Sequence, residues 1–313
     1  MKRGLVLGLL IAIAALSMAV SGQAPPAGPT AAALAATKIE KVKDNLYVIT
    51  GSGAENQEAF SGGNTAVFIT DAGVTLVDTK LPGWGPTIIE RVKTVTNKPI
   101  TRIINTHTHG DHTGGNAAFM GGATVESIVH ENTKANMTKM PDFSGANAKF
   151  LPNKVYKDKL TVGSGKDAID LYYFGRGHTN GDSFVVFRAL RTMHVGDIFA
   201  WKALPYVDTM NGGSVVEQPE TLAKAVATVR NVDTIINGHI PVGTWNDLKE
   251  YAAFTKEFVD YARASMKAGK SAAQAGKEFT LAPKYKGYVV SINPSFAGAE
   301  GNLQIAYEEL KKK

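Results

Sequence analysis

From Lys38 onward the apolar positions fall into short runs of period two, broken at turn residues, and this pattern predicts β-structure. Ile39 and Val42, then Leu46, Val48 and Ile49, read as strand-like stretches around an Asp44-Asn45 turn. Residues 51–63, rich in glycine and polar side chains, read as a flexible loop. A hairpin follows: Thr65-Ala-Val-Phe-Ile69, a turn at Asp71-Ala-Gly73, and Val74-Thr-Leu-Val-Asp78. The spacing of Ile88, Ile89, Val92 and Val95 predicts a helix over 86–96, and a strand over 102–105 comes next.

The same order returns further along. Ser183-Phe-Val-Val-Phe-Arg188 and Thr192-Met-His-Val-Gly-Asp197 form a second hairpin ending in an aspartate. Leu222, Ala225, Val226 and Val229 mark a helix, and Thr234-Ile-Ile-Asn-Gly-His239 a strand. Ile103-Ile-Asn-Thr-His107 and Ile235-Ile-Asn-Gly-His239 are thus counterparts, and each half runs hairpin, Asp, helix, Ile-Ile-Asn strand, His. An internal duplication of this kind predicts two similar halves packed face to face. Sheet then lies on sheet with helices outside, an α/β (α+β) architecture presenting both histidines at one edge.

Between the halves, residues 131–160 are polar, carry Pro141, Gly145 and Pro152, and read as a loop or short-helix insertion; 170–174 read as a strand. After His239, Thr244-Trp-Asn-Asp247 resembles a capping box. It opens a helix marked by Leu248, Tyr251, Phe254, Phe258, Tyr261 and Met266 and closed near Ala268-Gly269. A shorter helix from Ser271 and a final one ending in Lys311-Lys-Lys313 make 266–313 a helical extension packed on a domain of 38–265.

Composition changes the picture at the N-terminus. Lys2 and Arg3 precede an apolar run from Leu5 to Val20 and then small residues, the layout of a signal peptide over 1–24. Sixteen residues are short for a membrane span, an uncleaved anchor being the alternative. Residues 25–37, Pro-rich then Ala-rich, read as a flexible leader. The expected location is therefore periplasmic or secreted, with no stable membrane association after cleavage. The formal charge is +6, or +4 without Lys2 and Arg3, and the remaining basic residues are scattered, which argues against nucleic-acid binding.

The chain has no cysteine, so neither disulfides nor thiolate ligands are available. Against that background, His107-Thr-His-Gly-Asp-His112 places three of the seven histidines and one carboxylate within six residues, directly after a strand. Imidazole and carboxylate suit Zn²⁺ and other borderline metals. A polar loop that holds three histidines by chance is the alternative. His178, His239 and Asp197 each follow a strand or close a hairpin, so they can converge on the same edge. His107, His109 and His178 are accordingly assigned to one metal, Asp111, His112 and His239 to a second, with Asp197 bridging. His194, in mid-strand, reads as a packed or supporting histidine, and His130 as a loop histidine.

The ordered set His-x-His-x-Asp-His, Gly177-His-Thr-Asn-Gly-Asp182, Gly196-Asp197 and Gly238-His239 resembles the metallo-β-lactamase fold superfamily, over nearly all of residues 38–265. Phe60-Ser-Gly-Gly-Asn64 and Pro205-Tyr-Val-Asp-Thr-Met-Asn-Gly-Gly-Ser214 look like a group of exported bacterial hydrolase-like members. The resemblance implies a four-layer αββα sandwich with two zinc ions per chain at one edge, and a supporting role for Asp78. It also marks departures. The best-known β-lactamases of the superfamily place a cysteine at the second metal, and Asp197 instead looks like the bridging carboxylate of the glyoxalase-II and lactonase branches. His109 stands where flavo-diiron relatives carry Glu, which argues for hydrolysis. Ile240 stands where many relatives have Gly.

A metal-bridging hydroxide would then open an amide, lactone or ester-type bond of a small molecule, β-lactams included, with Asp111 as catalytic proton carrier. Asp78, Asn105 and backbone carbonyls are the expected acceptors for the second nitrogens of the histidines. Trp84, Phe143, Asn180 and Tyr206 are candidate substrate contacts in loops expected at the metal edge. A mononuclear iron oxidoreductase of the persulfide dioxygenase type, and a metal-binding protein without turnover, are the alternatives.

Overall fold

The computed structural model describes residues 29–313, apart from 54, 122–123, 294–295, 297 and 313. The signal-peptide reading of 1–24 and the first part of the leader lie outside the described residues. Within the leader, Ala31–Ala36 form a short helix, α1, capped by the Thr30 hydroxyl. Expected to be flexible, this stretch is held by tertiary contacts: Ala33 is buried, and the Arg91 guanidinium donates to the carbonyls of Leu34 and Thr37.

The first sheet has seven strands in sequence order: β1 (Ile39–Lys43), β2 (Leu46–Ile49), β3 (Thr65–Thr70), β4 (Gly73–Val77), β5 (Ile100–Ile104), β6 (Glu126–His130) and β7 (Lys154–Tyr156). Strands β1–β4 are antiparallel neighbours, whereas β4, β5, β6 and β7 pair in parallel. The second sheet runs β13 (Gly243–Thr244), β12 (Thr234–Asn237), β11 (Thr192–Gly196), β10 (Phe184–Phe187), β9 (Ile169–Tyr172) and β8 (Lys159–Val162). Here too an antiparallel hairpin, β10–β11, is followed by a parallel neighbour, β12. The two sheets share this hairpin-then-parallel unit and differ beyond it, where β5–β6 is parallel and β12–β13 antiparallel.

Alternation assigns the layers. Ala66, Phe68, Val77 and Ile104 point inward to meet Val185, Phe187 and Ile236 of the other sheet, with the Phe68 and Phe187 rings 5.1 Å apart. Their chain neighbours Val67, Leu76 and Ile103 face outward onto α2 (Gly85–Lys93). Phe184, Met193, Val195 and Ile235 likewise face α6 (Gln218–Thr228) and α7 (Trp245–Lys267) on the opposite side, by way of Leu222, Leu248 and Tyr251. Strands buried on both faces read as nearly unbroken apolar runs, and Ile103-Ile104 and Ile235-Ile236 each send one isoleucine to either side. The product is the four-layer αββα sandwich.

The region 131–160 is more structured than a loop. It contains α5 (Glu131–Met137), two 3-10 turns and β7, after two short helices, α3 (Gly110–Thr113) and α4 (Asn116–Met120), and strand β6. His130 closes β6, caps α5 through Nδ1 and stacks on Tyr173 at 3.9 Å, so it is not a loop residue. The Thr244–Asp247 capping box opens α7, which crosses the expected boundary at 265–266. Beyond it, α8 (Ala272–Glu278) and α9 (Ala299–Leu310) share the cluster around α7 through Ala275, Leu303 and Ala306, and Glu309 accepts hydrogen bonds from Ser214, Val215 and Val216.

Candidate metal centre

Strands β4, β5, β11 and β12 end at the same edge of the sandwich, and the chain leaves each of them carrying a chemically active residue. Asp78 follows β4 and His107 follows β5; Asp197 follows β11 and His239 follows β12. The two Ile-Ile-Asn strands finish alike. The Asn105 amide donates to the His112 carbonyl at 2.9 Å, while the Asn237 side chain accepts from Ile240 N and donates to the Pro241 carbonyl, each at 2.8 Å. Both asparagines therefore fix the backbone that carries the next ligand.

Seven side chains converge here in two groups: His107, His109, His178 and Asp197, and Asp111, His112 and His239, with one donor atom from each residue within 4.8 Å of the others in its group. Asp197 lies between the groups. Its Oδ1 is 3.2 Å from His112 Nε2, and its Oδ2 is 3.1 Å from His239 Nε2 and 3.8 Å from His178 Nε2. His109 Nδ1 and His178 Nε2 stand 3.0 Å apart, and His112 Nε2 and His239 Nε2 3.4 Å. All seven residues expected as ligands are thus brought together.

In four of the five ligand histidines the outward-facing ring nitrogen has its own partner, while His239 Nδ1 is buried without one. His112 Nδ1 meets Asp78 Oδ2 at 2.7 Å, His178 Nδ1 meets the Tyr206 carbonyl at 2.6 Å, His109 Nε2 meets Asp208 Oδ2 at 2.8 Å, and His107 Nδ1 meets the Thr106 hydroxyl at 3.0 Å. In each ring the second nitrogen is left directed at the cluster, and His107 Nε2 is buried with no hydrogen-bond partner. Imidazole nitrogens oriented by outer acceptors, facing two carboxylates, form a donor set that fits two borderline divalent cations.

Electrostatics points the same way. Burial, aided by the neighbouring His112, pushes His107 well below its ordinary value, and burial with His109 beside it lowers His178 to about 4. His112 moves well above its ordinary value because Asp197, Asp111 and Asp78 outweigh burial. His239 and His112 hold the buried Asp197 carboxyl well below the usual range. His107 and His178 are thus held neutral, while the carboxylates around His112 and His109 favour positive charge at the same edge, as a cation site requires.

Several contributors carried no warning in the sequence. Asp208, which orients His109 from within the Pro205–Ser214 loop, has no sequence mark that sets it apart from a solvated loop carboxylate. Lys80 is fully buried; its ammonium donates to Gly63 O at 3.0 Å and Ser61 Oγ at 3.2 Å, and burial lowers it to about 7. The Gly63-Asn64 strap binds both halves, Gly63 N to Asp111 O at 2.9 Å and Asn64 N to Gly238 O at 2.7 Å. A Cβ at Gly63 would lie 2.1 Å from the His112 ring, and one at Gly238 1.9 Å from Asp197 Oδ1, so neither position admits a side chain. His194 supports the strap from inside, with Nε2 3.0 Å from the Asn64 carbonyl.

Of the four expected substrate contacts, Tyr206 stands at the site, its ring 5.7 Å from His178 and 6.2 Å from His109. Trp84 is buried, immediately before α2, and Phe143 is buried against Val129 and Met137, so both are packing residues. Asn180 is a loop brace: its Oδ1 accepts from Asn136 and its carbonyl from Asn132, each at 2.8 Å.

An αββα sandwich with His/Asp groups of this form at one edge defines a class of metal-binding proteins. The chain belongs to the metallo-beta-lactamase superfamily, whose family model matches residues 60–239. The "Metallo-beta-lactamase type 2" of Elizabethkingia meningoseptica is 32% identical over 151 residues, 45% of this chain and 54% of that relative, so the match spans about half the relative's length. Its counterpart from Bacillus sp. (strain 170) is 26% identical over 221 residues, covering 66% and 77% of the two chains. Among solved structures, a metallo-beta-lactamase from Pontibacter korlensis matches with TM-score 0.60 and 18% identity over 70% of this chain and 99% of that one. The sec-alkylsulfatase Pisa1 from Pseudomonas sp. matches with TM-score 0.71 and 13% identity over 87% of this chain and 50% of that one, a likeness of fold.

Proposed function

We propose that the chain is an exported dinuclear zinc hydrolase that opens an amide, lactone or ester-type bond in a small molecule, β-lactams among them. The observation that carries this reading is the position of Asp197, a buried carboxylate whose Oδ2 lies 3.8 Å from His178 in one group and 3.1 Å from His239 in the other, with Oδ1 3.2 Å from His112. His107, His109 and His178 would hold one ion, Asp111, His112 and His239 the other, and Asp197 both. Zinc bound there supplies a Lewis acid for the substrate oxygen and water acidified to near neutral pH.

The protein's own groups do the rest. Asp111 is the partly open carboxylate of the cluster, its Oδ2 3.4 Å from His239 Nε2 and 3.6 Å from His112 Nε2. From there Oδ2 takes the proton of the attacking water and returns it to the leaving group. Asp78 and Asp208 keep His112 and His109 in the required tautomers, which spares any rearrangement during turnover. Export rests on the lysine-arginine and apolar pattern of residues 1–24, and the superfamily relatives named above support a small-molecule substrate.

Metal analysis of the purified protein beside an ester, lactone, β-lactam and phosphodiester panel tests the reading. Two zincs per chain and hydrolysis abolished by His112→Ala are expected. One iron per chain with no hydrolysis overturns it.

A further inference from the structure

We infer that the site takes a substrate whose scissile bond carries an uncharged apolar arm, and that Phe296, from the segment between α8 and α9, selects for that arm. The inference rests on the hydrolase reading for the scissile bond, but the arm's binding site is a separate piece of the structure.

Aromatic rings lead away from the metal edge in an unbroken series. The Trp201 ring is 5.7 Å from His239; Phe296 stacks on Trp201 at 5.3 Å and 16°, and lies 5.0 Å from Tyr206, which in turn borders His109 and His178. Phe60 adds a ring 5.5 Å from the other side of His239. Trp201 is buried beneath this contact, whereas Tyr206 is exposed and Phe296 half-buried, so the outer rings are the ones a ligand meets.

Against Trp201 opens a cavity of about 450 Å³, lined by Ile240, Pro241, Val242, Val289 and Ile292 together with Lys202, Asn237 and Asp247. That volume falls within the range of small-molecule sites. Ile240 directly follows His239, so the cavity begins one residue from a proposed metal ligand. Ile240, Ile292 and Phe296 pack on the cluster of Ala200, Trp201 and Ala203, and Phe296 stands between the cavity's Trp201 wall and Tyr206 without lining the cavity itself. The cavity's single described cation, Lys202, is engaged by Asp247 at 2.8 Å and Glu250 at 4.0 Å, which leaves no free charge for a charged arm. A second cavity of about 490 Å³, across the Ile240–Val242 segment, reaches His239 and mixes Val42 and Val48 with Glu40, Lys41 and Glu55, so charged side chains share its wall. An alkyl or aryl arm therefore partitions to the Trp201 side by desolvation, and Phe296 adds apolar surface between Trp201 and Tyr206.

Calorimetric titration of the zinc-loaded protein with octanoate and with butyrate, product-like probes sharing one headgroup, reads the arm alone. Octanoate is expected to bind at least tenfold more tightly. Phe296→Ala should cut that preference at least fivefold with butyrate affinity held within twofold, and Ile292→Gln, on the cavity wall, should do the same independently. Equal affinities in the wild type, or a preference that survives both substitutions, overturns the inference even if the panel above shows hydrolysis. Conversely, the expected preferences without hydrolysis of any panel member uphold the apolar site and refute the hydrolase reading alone.

Discussion

Replacing Lys80 by methionine tests how the interior behind the metal edge is balanced. The lysine is fully buried, with Gly63 O and Ser61 Oγ as acceptors, and burial outweighs Asp111 and Asp78 in lowering it to about 7. The fall from 10.5 to about 7 corresponds to roughly 5 kcal/mol of penalty on the charged form. Between about pH 7 and 10.5 the unfolded chain binds the Lys80 proton and the folded chain does not, so raising the pH favours folding. Below about 7 both states are protonated and the folded state carries the whole penalty. Methionine keeps the side chain's length and removes the titration, while stranding the two acceptors costs about 1–3 kcal/mol at every pH. Urea unfolding of wild type and Lys80→Met in a chelator, at half-unit steps from pH 6 to 10, separates the two effects. The stability difference, wild type minus variant, should rise by about 2–3 kcal/mol between pH 7 and 9, over a constant offset. A difference flat to within about 0.5 kcal/mol would refute the argument, because it would mean that Lys80 folds with an ordinary affinity for its proton.

Three further outcomes follow from particular contacts. Asp208→Asn removes the carboxylate from His109 Nε2 and should weaken zinc binding by about 10–100-fold in competition with a chelator, unchanged affinity contradicting its orienting role. Gly238→Ala drives a methyl group into Asp197 Oδ1, 1.9 Å from the ideal Cβ, and should cost about 1–3 kcal/mol of stability by thermal melting together with the hydrolytic activity. Thr244→Ala deletes half of the capping box at the N-terminus of α7 and should cost about 1 kcal/mol in urea unfolding, an unchanged stability contradicting the cap.

What could be read from the chain and what could not divides along physical lines. Hairpins such as Thr65–Val77 announce themselves because both faces and the turn are encoded locally, and the His107–His112 run is legible because few other roles require such crowding. Strand β7, by contrast, is three residues long with lysine at its start, and it exists because β6 lies beside it. Helix α1 is not legible in the sequence, because an alanine run has no visible face until Arg91 reaches the Leu34 and Thr37 carbonyls. Asp208 and Lys80 escaped notice for a related reason: a loop carboxylate or a lysine looks solvated until tertiary structure buries it. Trp84 and Phe143 failed as substrate contacts because position in a loop says nothing about which way an aromatic ring turns. Trp201 and Phe296, 95 positions apart, meet only in three dimensions.

The convergence of His107, Asp111 and His112 with Asp197 and His239 also bears on how this cysteine-free chain is held closed. Ions seated among these side chains would tie positions more than a hundred residues apart, a cross-link of the span that a secreted protein otherwise obtains from a disulfide. Long loops cost the most entropy to close, so such a tie removes a large share of the disorder open to the unfolded chain. Unlike a disulfide it is governed by mass action: each tenfold rise in free metal above the dissociation constant adds about 1.4 kcal/mol to the folded state, and a chelator withdraws it. The surroundings' metal supply then sets not only whether the edge can work but how long the two halves stay together.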